Sequence, residues 1–158
     1  MLIRKISQKD NKGLSKVLRE VLIEMNIPRV GSAYEDPELD NMFEAYQSNR
    51  SIYYVIEENK KILGGAGINP LQGGNKNICE LQKMYFHNSM RGKGYGSTMI
   101  DMCLDFARYV KYKECYIETM PNMIDAQKLY IKKGFTYIDQ PLGNTGHSAC
   151  PVWMIKKL

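Results

Sequence analysis

The chain has 158 residues, 44% hydrophobic and 25% charged, with 22 Lys plus Arg against 17 Asp plus Glu and a net charge of +5. That length suits a single domain over residues 1–158, and the composition excludes disordered and fibrous classes. No stretch approaches the roughly 20 apolar residues that span a bilayer, and the first residues lack an apolar signal core, so a cytoplasmic protein without a membrane partner is expected. Cys79, Cys103, Cys115 and Cys150 form no Cys-x-x-Cys pair and have apolar neighbours. They read as buried reduced thiols rather than disulfides or metal ligands, and no metal is expected. Residues 30–49 carry Glu35, Asp36, Glu38, Asp40 and Glu44 with no Lys or Arg, a local charge of −5 that leaves +10 elsewhere. A nucleic-acid binder would be more uniformly basic.

Residues 2–6 alternate as a short strand. Leu14, Val17, Leu18, Val21, Leu22 and Met25 fall on one helical face, with Asp10 as its expected N-cap. Pro28 and Gly31 end that helix, and Pro37 is expected to start a second, acidic one running to about Gln47. Ile52-Tyr53-Tyr54-Val55-Ile56 is a strand; Glu58-Asn59-Lys60 turns it into another at 61–68, and a long strand follows from about Ile78 to Phe86. A glycine-rich loop leads into a helix over about 94–110. A strand at 113–119, a helix at 122–133 closed by Gly134, and strands at 135–138 and 150–156 complete the order β-α-α-β-β-β-α-β-α-β-β. This is an α/β pattern, and its hairpins predict a mixed, mostly antiparallel sheet flanked by helices.

The sharpest local feature is Arg91-Gly92-Lys93-Gly94-Tyr95-Gly96-Ser97, between a strand and a helix. Alternate glycines let the backbone turn tightly and aim its N–H groups at one point, and the helix start adds a partial positive charge. That is a phosphate site built from backbone. A P-loop is absent, because no window supplies Gly-x4-Gly-Lys-Ser/Thr. A dinucleotide turn is disfavoured: Ser97 stands where Gly-x-Gly-x-x-Gly requires its third glycine, and His87 to Arg91 separate the strand from the glycines.

Arg91-x-x-Gly94-x-Gly96 resembles the Gln/Arg-x-x-Gly-x-Gly/Ala signature of the GCN5-related N-acetyltransferases. Ala126-x-x-Leu129-Tyr130-x-x-x-Gly134-Phe135 is similar to a second segment of that family. The resemblance covers nearly the whole chain. It implies a GNAT-like fold and acetyl-CoA as donor, with the pyrophosphate on the amides of Arg91, Gly92, Lys93, Gly94, Tyr95, Gly96 and Ser97. It further implies that strands 78–86 and 113–119 splay apart, with pantetheine along Met84 and Phe86. The family often has Asn seven residues before the Tyr; Met123 stands there, and Asn122, one place earlier, is taken as its counterpart.

Amine acetylation must remove a proton from an ammonium of pKa near 10.4, which costs about 4.6 kcal/mol at pH 7. Glu80 is the preferred base. Its register before Arg91 matches the catalytic Glu of the family's histone-acetylating members, and strict alternation puts Glu80, Gln82, Met84 and Phe86 on one side of the strand. Glu118 is the rival. The resemblance assigns Tyr130 as the acid for the departing thiolate and the Met84 amide as the donor to the thioester carbonyl. His147 reads as an exposed turn residue that, with Cys150, makes a poor metal site. The expected acceptor is a small, positively charged amine drawn by Glu35 and Asp36. A protein acetyltransferase and a catalytically silent CoA-binding module are the alternatives, and a homodimer is compatible with the sequence.

Overall fold

In chain order, the computed structural model, which describes residues 1–158, contains β1 (Leu2–Lys5), α1 (Asn11–Glu24), α2 (Met42–Ala45), β2 (Ile52–Glu58), β3 (Lys61–Pro70) and β4 (Ile78–Phe86). It continues with α3 (Tyr95–Tyr109), β5 (Glu114–Thr119), α4 (Ile124–Lys132), β6 (Thr136–Ile138) and β7 (Val152–Lys157). The strands form one sheet in the order β1-β2-β3-β4-β5-β7-β6. Only β4 and β5 run parallel; every other neighbouring pair is antiparallel. The expected element order and mixed sheet are both present.

The all-apolar run of β2 reflects a central strand covered on both faces. Ile52, Tyr54 and Ile56 join the core beneath α3, with Met99, Ile100, Cys103, Leu104 and Ala107. Tyr53 and Val55 join the opposite core beneath α1, with Leu14, Val17, Leu18 and Val21. All four cysteines are free and buried.

Two local expectations need correction. Residues 37–47 do not form one helix but a 3-10 turn at Pro37–Asp40 and the single turn of α2, separated at Asn41. Leu39, Met42 and Tyr46 are buried at helical spacing. However, Asn11 on α1 accepts the Phe43 N–H (2.8 Å) and donates to Glu44 (2.7 Å), so the segment is held by another helix rather than by its own ladder. Asp10 does precede α1, but its side chain makes no cap bond there. It accepts instead from the Ser7 N–H and hydroxyl (2.7 Å each) and from Arg4 (2.6 and 2.8 Å).

The third correction shapes the site. Gly65 pairs with Tyr85 and Gly67 with Gln82, so Ala66 of β3 opposes both Lys83 and Met84 of β4. This is a β-bulge, with Lys83 at φ 49. One extra residue reverses the facing of everything beyond it. Met84 and Phe86 pack with the core under α3, whereas Gln82 bonds Tyr46 of the opposite core. Glu80 and Gln82 therefore do not share a face with Met84 and Phe86, as strict alternation predicts. The bulge is pinned from β2: the buried Tyr53 hydroxyl donates to the Lys83 carbonyl at 2.7 Å. A Cβ on Gly65 or Gly67 would lie 2.4 or 2.5 Å from the Tyr53 ring, so those two glycines make room for it.

Candidate active site

The ladder between β4 and β5 covers only Ile78–Glu114, Cys79–Cys115 and Glu80–Tyr116. Beyond Glu80, β4 continues with β3 to Phe86, and β5 continues with β7 to Thr119. The strands part as expected, and a cleft of about 570 Å³ opens beside them. Its walls are Met84, Tyr85 and Phe86 from β4, the loop before α3, and Met123, Ala126, Leu129 and Tyr130 around α4. A larger groove of about 890 Å³ lies between α1 and the β2–β3 hairpin, but its lining is mostly charged and its Arg4 is bound to Asp10 and Glu57. The apolar cleft with the glycine loop is the better candidate for a cofactor site.

In that loop Gly92 and Gly94 have φ 71 and 84, conformations that side chains disfavour. A Cβ on either would meet nothing within 4 Å, so what requires glycine is the backbone turn and an open approach. A Cβ on Gly96 would instead touch Leu129 and Met84 at 3.2 Å each, so this glycine allows α3 to approach α4 and β4 closely. The first backbone bond of α3 runs from Thr98 N–H to Gly94 C=O (3.1 Å), and the Tyr95, Gly96 and Ser97 amides have no backbone partner. These amides, with the apolar walls, suit a phosphate joined to an uncharged arm.

Arg91 departs from its expected role. Its N–H already donates to Asn88 C=O (3.1 Å), and its guanidinium holds Glu24 of α1 through two bonds (2.8 and 2.9 Å). It braces the loop rather than offering an amide. Lys93 and Asn122 lie outside the cleft lining; the Asn122 amide donates to Met25 C=O (3.2 Å), and Met123 faces the cleft. Tyr130 lines the cleft, is 5% exposed, and has no side-chain hydrogen bond to protein. Burial raises its phenol to about 12, so it keeps its proton at neutral pH.

At the point where the ladder stops, a second group of side chains collects. Glu80 is 3% exposed and accepts from Gln82 Nε2 at 2.6 Å, while Gln82 Oε1 accepts from the Tyr46 hydroxyl at 2.9 Å. Burial, then the nearby Glu118, push the Glu80 carboxyl up to about 7. Glu118 accepts from the Tyr116 hydroxyl (2.8 Å) and from Thr145 Oγ1 (2.7 Å). Lys83, turned inward by the bulge, lies 2.9 Å from Asp36 and also pairs with Glu38. Burial alone would lower the Lys83 ammonium, but the two carboxylates outweigh it and hold it above its usual value.

His147 is not an exposed turn residue. Its side chain is 13% exposed, its Nε2 is 3.1 Å from both Asp36 oxygens, and its Nδ1 is 3.6 Å from Glu118. Burial opposes the imidazolium, but Asp36 outweighs burial and raises its pKa. Glu80, Glu118 and His147 bring one oxygen or nitrogen each within 4.8 Å of one another.

The acidic run is also largely committed. Asp36 and Glu38 pair with Lys83, Asp40 with Arg19, and Glu44 with Asn11; Glu35 alone has no side-chain partner. Of the two residues expected to draw the acceptor, Asp36 is already paired with Lys83 and His147, and Glu35 is unpaired. Sequence reading missed Lys83, His147, Tyr116 and Thr145 as members of this group. The one local sign was Lys83, a lysine inside the strand 78–86.

Residues 18–135 match the Acetyltransferase (GNAT) family. Over 158 residues the chain is 38% identical to the Escherichia coli (strain K12) protein named uncharacterized N-acetyltransferase YjgM, spanning 99% of this chain and 95% of that one. A GNAT-family acetyltransferase from Staphylococcus aureus Mu50 aligns with a TM-score of 0.87 at 20% identity, over 99% of this chain and 98% of its own. The PaiA N-acetyltransferase of Thermoplasma acidophilum, solved in complex with coenzyme A, aligns at 0.78 and 20% identity, with the same shares covered. At these identities the two structures speak for the fold. No helix of the chain is long and apolar enough to cross a membrane.

Proposed function

The chain belongs to the GNAT family of N-acetyltransferases, and from that premise we propose that it transfers the acetyl group of acetyl-CoA directly to a primary amine of a small cationic molecule. One juxtaposition carries the reading. Glu80, buried and raised to about 7, forms the last ladder pair before β4 and β5 separate, and Tyr130 lines the cleft that opens beyond it.

Acetyl-CoA supplies an activated acetyl thioester. Support for its place comes from the unpaired amides of Tyr95, Gly96 and Ser97 for the pyrophosphate and from Met84, Phe86 and Leu129 for the arm. Glu80 takes the proton from the acceptor ammonium, leaving a neutral nitrogen to attack. A group that ionises near 7 does this well, because it is half available as a base at neutral pH yet basic enough to hold the proton. The Met84 N–H, next to the bulge, is assigned to the negative charge that develops on the acetyl oxygen. As the N–C bond forms and the C–S bond breaks, Tyr130 gives its proton to the thiolate, and the second proton lost by the nitrogen goes to solvent, from which the phenol is restored.

A cationic acceptor is supported by charge. Asp36, Glu38, Glu80 and Glu118 face only Lys83 and His147. A small acceptor rather than a protein chain is supported by enclosure, since Glu80 is almost fully buried. The experiment is a screen of CoA release from acetyl-CoA against mono- and diamines, anionic amines and lysine-containing peptides. Small cationic amines are expected to turn over fastest. A best acceptor that is anionic, or peptides outpacing every small amine, overturns this assignment.

A further inference from the structure

Within the buried polar cluster, His147 has no part in the chemistry above. It comes from the segment 139–151 between β6 and β7, which reaches back over the cluster. That segment is fastened at four points. Leu142 N–H donates to the Tyr116 hydroxyl (3.2 Å), Asn144 N–H to Gln72 C=O (2.7 Å), Thr145 Oγ1 to Glu118 (2.7 Å) and Ala149 N–H to Gly31 C=O (2.9 Å). His147 adds a side-chain contact from this segment to Asp36 of the acidic run, while its other ring nitrogen faces Glu118. Asp36 is itself held by Lys83 at 2.9 Å, so the ring is oriented by a fixed partner.

We propose that His147 is a positioning residue of the acetyl transfer: clamped between Asp36 and Glu118, it closes the 139–151 segment over Glu80 and places a positive charge beside that base. The inference rests on reading Glu80 as the base. The groups that act on the ring are Asp36 from the acidic run, Glu80 and Lys83 from β4, and Glu118 from β5; Glu38 pairs with Lys83, Tyr116 bonds Glu118, and Cys150 follows in the ring's own segment. Three carboxylates against one ammonium favour the charged ring. An imidazolium there offsets the repulsion that Glu118 exerts on Glu80 and keeps Glu80 ionised at lower pH. Without that charge, Glu80 holds its proton further into the neutral range.

The test is His147→Gln, which keeps a hydrogen-bonding amide and removes the charge. Acetyl-CoA affinity is expected to stay within about twofold. The acid limb of kcat/KM for the best small amine moves up by about one pH unit, the lower end for loss of one charge at this range. The rate therefore falls up to about tenfold at pH 6.5 and recovers by pH 9. Glu118→Gln added to His147→Gln should bring the limb back down. A folded His147→Gln variant with its limb unmoved overturns the proposal. Should that variant not fold, NMR titration of the unmodified protein decides. His87 is the only other histidine and is identified by His87→Gln. The His147 ring is expected to titrate above 6.5, and titration below it rejects the clamp. Failure of the base itself looks different: Glu80→Gln would then keep its turnover, whatever His147→Gln does.

Discussion

The cofactor cleft and the polar cluster lie at two ends of one strand, and different forces hold them. The cleft is made of backbone and apolar walls: unpaired amides at the start of α3, two glycines at positive φ, and Met84, Phe86 and Leu129. The cluster is made of side chains, with Asp36, Glu80, Lys83, Glu118 and His147 brought together from four separate segments. A site made of backbone needs particular residues only where the chain must turn or come close. A site made of buried charges needs every partner at once, because a lone buried charge is strongly destabilising. Changes in the cleft should therefore act on cofactor affinity, and changes in the cluster on turnover, pH dependence and stability.

The largest effect is expected at Glu80. Glu80→Gln should lower kcat by at least about 100-fold, the lower end for loss of a general base. The same change should stabilise the protein. The folded carboxyl titrates near 7 against an ordinary 4.5, so ionising it in the fold costs up to about 3 kcal/mol at pH 8. That cost is absent below the unfolded pKa, grows as pH rises from 4.5 to 7 and levels off above it. Melting curves should show Glu80→Gln ahead of the unmodified protein at pH 8 and the gap closing by pH 4.5. A variant less stable at pH 8 would break the claim that this carboxylate is held at a cost.

Tyr130→Phe removes one hydroxyl that has no protein partner, so packing should survive. About a tenfold or greater loss of kcat is expected, with acetyl-CoA affinity by calorimetry within twofold. Unchanged turnover, with chemistry shown to limit the rate, would return Tyr130 to the wall of the cleft. Gly94→Val acts on the other region. It forces a branched side chain into φ 84 and into the open approach to the amides, and about a fivefold to tenfold loss of acetyl-CoA affinity is expected. Normal binding would make the loop a turn and no more. The smallest effect separates Glu35 from Asp36. Glu35 has no partner, so Glu35→Gln should change acceptor KM by less than about twofold, as for an exposed charge screened by salt. A large KM change in that variant would restore the acidic run as an attractive surface.

The same contrast explains what the sequence made legible. The glycine loop could be read because its requirement is local: tight turns and close approach demand glycine within seven residues, Arg91 to Ser97. The strand order followed from apolar periodicity in the same way. The cluster could not be read, because His147 meets Asp36 across 111 positions and no local pattern records that meeting. The bulge did further damage to a period-2 reading, since the single extra residue between Gln82 and Tyr85 moves Met84 and Phe86 to the face opposite Glu80. Its cause lies two strands away, where Gly65 and Gly67 admit the Tyr53 ring and its hydroxyl takes up the Lys83 carbonyl. A run of glycines in β3 beside an aromatic strand was the available sign, and it is visible only once the pairing is known.

The central claim, that Glu80 is the base at the junction of the two regions, is tested most directly by the pH dependence of kcat/KM in CoA release, measured on the unmodified protein and on Glu80→Gln. The expected result is a rate that falls as pH drops, with a midpoint near 7, and a residual Glu80→Gln rate without that limb. A limb that persists unchanged in Glu80→Gln would contradict it and pass the role to another group.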